Sequence, residues 1–337
     1  MAGCRLRAFA LFAGTLLWLV AASAFARALE IRAVALTVGD LDRAVSFYEG
    51  ALGFRKVAER VIADAEHDTL TGVFGTRVRS ATLRLGDETI ELEQFLSPAG
   101  QPLPPDSRSN DLWFQHFAIV VADMDKAHAH LSRTPFQAIS SAPQTIPASN
   151  AAAAGIRAFK FRDPDGHPLE LLWFPPDKGR AKWQRRDGPL FLGIDHTAIT
   201  VSDTERSFTF YRDLLGFAVA GASLNSGATQ EQLDNAFGAV VRVTGLRPER
   251  GEGPGLEFLH YLTPGGGRAL PPDVRPSDVL HARTVVEVDD LERVTAELTG
   301  RGVGFISPRV VTARGTGYGK ALMVRDPDGH AVLLVQP

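Results

Sequence analysis

Imidazole and carboxylate side chains are the groups in this chain with the means to do chemistry. Two of its nine histidines open β-branched, alternating runs, His116 in HFAIVV and His196 in HTAITV. Glutamates stand in runs of the same kind: Glu91 in IELEQF, Glu170 in PLELLW and Glu257 in LEFLHY. Alternation on a strand puts His116 on one face with Ala118 and Val120, and Glu170 on one face with Leu172. Carboxylates and imidazoles brought to one pocket hold divalent ions with positions left for water or substrate. The other histidines carry less. His167 and His330 follow Asp-Pro-Asp-Gly turns and read as structural, His128 and His130 lie on a short polar helix and read as exposed, and His67 falls in a variable stretch that could reach a pocket rim. No glycine-rich phosphate loop, nucleophile elbow or Cys-x-x-Cys pair is present.

The elements that must position these groups recur four times. The segment AVALTVGDLDRAVSFYEGALGF from Ala33 matches HTAITVSDTERSFTFYRDLLGF from His196, with shorter copies at His116 (HFAIVVADMDKAHAHL) and Arg283 (RTVVEVDDLERVTAEL). Each opens with a strand pattern and continues into a helix whose cap is an aspartate: Asp40, Asp123, Asp203, and Asp289 or Asp290. Short alternating runs follow, such as Arg77–Leu85 then 89–95, and 157–161 then 168–174. The last two runs are joined by Asp163-Pro164-Asp165-Gly166, repeated as Asp326-Pro327-Asp328-Gly329; proline presets one turn dihedral and glycine accepts a positive φ. Each unit is therefore β-α-β-β-β. The polar stretch 177–189, with Lys178, Arg180, Lys182, Arg185 and Arg186, reads as a solvated linker, or else as a contact surface.

Composition bounds the rest. The chain has 337 residues, 45% of them hydrophobic, and a net charge of −3, which gives globular domains but no basic field for nucleic acid. Arg5 and Arg7 precede an apolar run from Ala8 to Ala22 and small residues at Ala24 and Ala26, the order of a cleavable signal peptide. The expected product is a periplasmic or secreted protein with no membrane attachment after cleavage. Cys4, the single cysteine, lies in that segment, so the mature chain has neither disulfide nor thiolate.

The repeated H-x-A-I-x-V-x-D…FY…LGF openings and D-P-D-G-H…L-E-L closings resemble the vicinal-oxygen-chelate superfamily of glyoxalase I, extradiol dioxygenases, methylmalonyl-CoA epimerase and bleomycin-resistance proteins. The resemblance implies an α+β fold of four βαβββ modules paired into two glyoxalase/dihydroxybiphenyl-dioxygenase-like domains. Expected boundaries are a signal peptide 1–26, a first domain 27–176 (modules 27–98 and 111–176), a linker 177–192 and a second domain 193–337 (modules 193–264 and 278–337). It also implies ligand positions on the first and last strand of each module: Ala33 and Glu91, His116 and Glu170, His196 and Glu257, Arg283 and Leu333.

Taken half by half, the first half keeps Glu91, His116 and Glu170 as the expected metal ligands, with Glu170 or Glu91 also serving as base. The second half, with His196, Glu257 and Arg283, reads as a vestigial site or substrate pocket. Arg283 there forms an ion pair or receives a substrate carboxylate, and His281 is a core residue rather than a substitute ligand. The implied function is a divalent-metal enzyme (Fe, Mn, Zn or Ni), a glyoxalase-like lyase or isomerase or a dioxygenase, acting on a small vicinal-oxygen substrate as monomer or homodimer. The competing reading is a metal-free binding protein of the bleomycin-resistance type. Whether each half closes its own cup or exchanges modules is open at this level.

Overall fold

The computed structural model describes residues 27–265, 267–313 and 318–337; the expected signal peptide lies outside them. Module one comprises β1 (Ala28–Thr37), α1 (Leu41–Leu52), β2 (Arg55–Ile62), α2 (Ala65–Thr71), β3 (Arg77–Leu85) and β4 (Glu88–Ser97). Module two has β5 (Gln115–Val121), α3 (Met124–Leu131), the two-residue strands β6 (Gln137–Ala138) and β7 (Gln144–Thr145), then β8 (Arg157–Arg162) and β9 (Pro168–Trp173). Module three repeats the first plan with β10 (Phe191–Thr200), α4 (Thr204–Tyr211), β11 (Ala218–Ser226), α5 (Ala228–Asp234), β12 (Val240–Arg247) and β13 (Gly255–Thr263). Module four repeats the second, with β14 (Ala282–Val288), α6 (Leu291–Gly300), β15 (Gly304–Phe305), β16 (Val311–Thr312), β17 (Lys320–Arg325) and β18 (Ala331–Gln336).

The local signals act as their chemistry requires. Asp40, Asp123, Asp203 and Asp290 each accept a hydrogen bond from the backbone N–H three residues on, which satisfies an otherwise orphaned donor at the helix start. In the two Asp-Pro-Asp-Gly turns Gly166 and Gly329 take φ of 95° and 99°, a region closed to most side chains. Asp163 accepts from the backbone N–H groups of Asp165 and His167, from His167 Nδ1 and from the Tyr48 hydroxyl. Asp326 makes the same four bonds with Asp328, His330 and Tyr211. His167 and His330 are thus turn-locking residues.

Module pairing departs from the order of the chain. β1 pairs antiparallel with β14 and β10 with β5, so module one shares a nine-stranded sheet with module four, and module two shares one with module three. The two modules of each sequence half meet differently, on the helix side of the sheets. α1 and α3 join one apolar core with Tyr48, Phe54, Phe117 and Phe159, and modules three and four build the matching core around Tyr211, Phe217, Phe258 and Leu298. Each half therefore shares a helix-side core, while each concave sheet face draws on both halves.

The stretch between the halves is packed, not solvated as a free linker. A 3₁₀ turn at Ala181–Gln184 buries Trp183 to 1% exposure. Lys182 pairs with Glu88, Arg180 donates to the carbonyls of Glu252 and Gly253, and Arg186 to that of Phe174.

Candidate metal centre

The concave face of the sheet from modules two and three collects four ligand-type side chains. Antiparallel pairing of β5 with β10 sets His116 opposite Ala198 and His196 opposite Ala118. Parallel pairing on either side then sets Glu170 beside Ala118 and Glu257 beside Ala198. Partners in a ladder share a face, so two imidazoles and two carboxylates surround two alanines too small to fill the space between them.

His116, Glu170 and His196 offer donor atoms within 4.8 Å of one another. His116 Nε2 is 3.4 Å from Glu170 Oε2, and His196 Nε2 is 3.8 Å from the same oxygen and 3.4 Å from Glu257 Oε2. Neither Nε2, nor His116 Nδ1, has a hydrogen-bond partner, although all three are buried. Leaving buried polar atoms unpaired is costly, and ligands of one small divalent ion stand roughly 3 to 3.5 Å apart. These residues therefore fit a divalent ion.

Electrostatics agree with that fit. Burial lowers His116 to about 4 against the pull of Glu170, so its ring is neutral and ready to ligate. Burial opposes ionisation of Glu170, but His116, Lys160 and His196 overcome it and hold its carboxyl well below the ordinary range. For His196 burial is likewise outweighed, by Glu257, Asp195 and Glu170, which raise it to about 9. An arriving cation has to displace that proton. Glu257 is raised, by burial first and by Glu170 and Asp195, against His196.

Asp195 supports His196. A register shift between Ile194 and His196 drops Asp195 out of the ladder, and a bulge of this kind re-aims the extra side chain. Its Oδ2 lies 3.1 Å from His196 Nδ1, while Oδ1 accepts from the Trp183 indole at 2.6 Å. A carboxylate on the far nitrogen of a ligating histidine fixes the ring and raises its basicity. The segment joining the halves thus braces the site.

The four side chains line a cavity of about 160 Å³, walled by Ile146, Ile156, Leu172 and Phe174, and His196 and Glu257 also border an adjoining recess of about 300 Å³. A larger cavity of about 690 Å³ lies between α1 and the Asp163–Gly166 turn, and none of the four lines it. Convergent ligands, not volume, mark the site.

Glu91 does not join His116 and Glu170. Its strand belongs to the sheet of modules one and four, where it sits beside Arg283, with Arg283 Nη2 to Glu91 Oε2 at 3.5 Å and the Tyr318 hydroxyl donating to its Oε1 at 2.8 Å. The expected set of Glu91, His116 and Glu170 is thereby corrected. Its place is taken by His196 and Glu257, which read half by half belong to a vestigial site or substrate pocket. Arg283 forms a bidentate pair with Glu93, at 2.8 and 2.7 Å, so it is an ion-pair residue in the other cup.

His67 and His281 belong with that cup too. His67 is buried and bonds Thr76, and burial lowers both rings, with Arg283 acting in the same direction and Glu93 against it. His128 and His130 are half-buried rather than exposed, edge-on to Phe159 and Phe191. Arg157 and Lys320 tie their strands to Asp125 and Glu292 at helix starts. Asp195, Lys160 and Gln230 were missed. The complete His-Glu-His-Glu set of modules two and three was the available signal, legible only by reading across the linker.

Comparison with known proteins agrees with this architecture. A 2-epi-5-epi-valiolone epimerase from an Actinomyces species is 35% identical over 153 residues, 44% of this chain and 81% of that protein. Glyoxalase I from Zea mays superposes with a TM-score of 0.59 at 19% identity, covering 91% of this chain and 92% of the other; its E144Q mutant gives 0.61 at 19%, covering 91% and 93%. Residues 30–171 and 193–334 each match one and the same family, and the chain belongs to the Glyoxalase/Bleomycin resistance protein/Dioxygenase superfamily.

Proposed function

We propose that this protein is a divalent-metal-dependent epimerase or isomerase that moves a proton at a carbon beside a carbonyl, on a small substrate with neighbouring oxygens. The observation that carries the reading is the convergence of His116, Glu170 and His196 with both ring nitrogens of His116 and Nε2 of His196 buried and unpaired. The epimerase relative supports the reaction class. The N-terminal sequence pattern supports placing the enzyme outside the cytoplasm.

His116, Glu170 and His196 would hold the ion, with Glu257 beside them. When bound, such an ion supplies Lewis-acid polarisation of a substrate oxygen. Glu257 is the base: its raised carboxyl takes the proton from carbon, and the C–H electron pair passes into the adjoining carbonyl. Inverted configuration results when the C–H bond is re-formed on the opposite face with a proton from water, and Glu257 then gives the proton it took to the hydroxide so formed. Asp195 and Trp183 hold His196 in place, and the apolar wall limits water.

A second reading, as a dioxygenase, is favoured by the count of two imidazoles and one carboxylate, a set typical of non-haem iron oxygenases. The second carboxylate, 3.4 Å from His196, favours proton transfer instead. Elemental analysis of protein purified without chelators tests both against a binding protein. Near-stoichiometric metal is expected in wild type and Glu91→Ala, and less than about a tenth of it in His116→Ala, Glu170→Ala and His196→Ala. Absence of metal even after reconstitution overturns the enzyme reading. Oxygen consumption with a metal-loaded protein would move it to the dioxygenase.

A further inference from the structure

Beyond the four ligand-type side chains, the cavity carries a second polar group that the proposed proton transfer does not use. Helix α5 lies against β7, β8 and β11, and its Gln230 and Leu233 line the cavity with Lys160 of β8. Asp234, fully buried, gathers three donors: Lys160 Nζ at 2.7 Å, Gln230 Nε2 at 2.6 Å and the Tyr261 hydroxyl at 2.7 Å. The bond to Asp234 orients the Gln230 amide, because a flipped amide would press its oxygen against a carboxylate. Gln230 Oε1 is left buried and without any partner, in a residue 3% exposed. Lys160, 3% exposed, spends one of its three N–H groups on the other oxygen of the same carboxylate.

We infer that Gln230 and Lys160 form a hydroxyl subsite, which selects a polyhydroxylated substrate over one with only the two oxygens of the reacting centre. A hydroxyl is the group that satisfies both residues, donating to Gln230 Oε1 and accepting from Lys160. A carboxylate would satisfy Lys160 but oppose Oε1, and a methylene would leave Oε1 unpaired and add nothing to the bond Lys160 makes with Asp234. The aligned residue in module one is His67, whose Nδ1 is 3.0 Å from the Thr76 hydroxyl, so among the described residues the other cup has no glutamine at this place. The inference rests on the proposed function for the location of the reacting carbon, and it names the substrate class for that site.

Calorimetric titration of the purified protein with a polyhydroxylated cyclohexanone and with 2-hydroxycyclohexanone tests the subsite, with metal content measured on the same samples. Wild type is expected to bind the polyhydroxylated ketone on the order of tenfold or more tightly. Gln230→Leu should lose that preference and keep both its metal and its affinity for 2-hydroxycyclohexanone; the nearly isosteric Gln230→Met gives the same readout if the leucine variant misfolds. Equal binding of the two ketones by wild type, no binding of either, or an unchanged preference in both variants overturns the subsite. A preference shown by wild type that holds no metal even after reconstitution would overturn the proposed reaction and leave the subsite standing.

Discussion

The two cups of this molecule have the same strands in the same order and opposite interiors. In the cup of modules two and three, the ligand positions hold His116, Glu170, His196 and Glu257, and buried imidazole nitrogens face one another without partners. In the cup of modules one and four they hold Ala33, Glu91, Arg283 and Leu333, and the arginine is spent on Glu93 and Glu91. A fixed internal cation there takes the place that a divalent ion would occupy in the other cup. Burial opposes ionisation of Glu93, yet Arg283 holds its carboxyl at about 2. The difference teaches that the scaffold tolerates either solution, provided that buried carboxylates receive a positive partner.

The comparison can be broken from the arginine side. Arg283→Met should destabilise the protein by about 3–5 kcal/mol, because Glu93 stays buried and uncompensated. Urea melts of Arg283→Met against Arg283→Met/Glu93→Gln measure it. Recovery of much of the loss in the double variant is expected, and a single variant as stable as wild type would show that the pair is not what closes this cup.

On the other side, Asp195→Ala removes the carboxylate behind His196 while leaving all four ligand-type groups. Metal affinity should fall by roughly 10–100-fold. Competition with a chromophoric chelator reads the change, and an unchanged affinity would strip Asp195 and Trp183 of their bracing role.

A smaller effect sharpens the comparison by probing what the halves share. Burial would lower His167, but Asp163 outweighs it and raises the ring to about 9. A folded-state pKa above the unfolded value of about 6.5 contributes stability that is fully present below the unfolded value and lost as pH rises through the folded one. Stability should thus decline by about 1–3 kcal/mol between pH 6.5 and 9 on account of this pair. The dependence of urea midpoints on pH across that window should become shallower in Asp163→Asn, with His196 and His330 keeping the rest, whereas an identical slope in the variant would place the titration elsewhere.

Much of this architecture was legible in the residues. Asp40, Asp123, Asp203 and Asp290 announce four helices because a capping carboxylate acts within three residues of itself. The Asp-Pro-Asp-Gly turns and the alternating runs locate the strands for the same local reason. The ligand-type residues were legible too, by type and position, but their partnership was not. Assigned to one half, Glu91 looks like a companion of His116; in the structure they stand in different sheets. The basic stretch 177–189 looked solvated, because nothing local says that Trp183 finds Asp195.

The sequence by itself determined the modules, their caps and turns, and which side chains point into a cup. These depend on contacts between near neighbours along the chain and on the two-residue period of a strand. Only the tertiary structure decided which first strand lies against which. β1, β5, β10 and β14 carry nearly the same alternating pattern, and any two could pair as far as local chemistry is concerned. Helix-side packing of α1 with α3 leaves β5 free for β10 and β1 for β14, and that long-range choice unites His116 with His196.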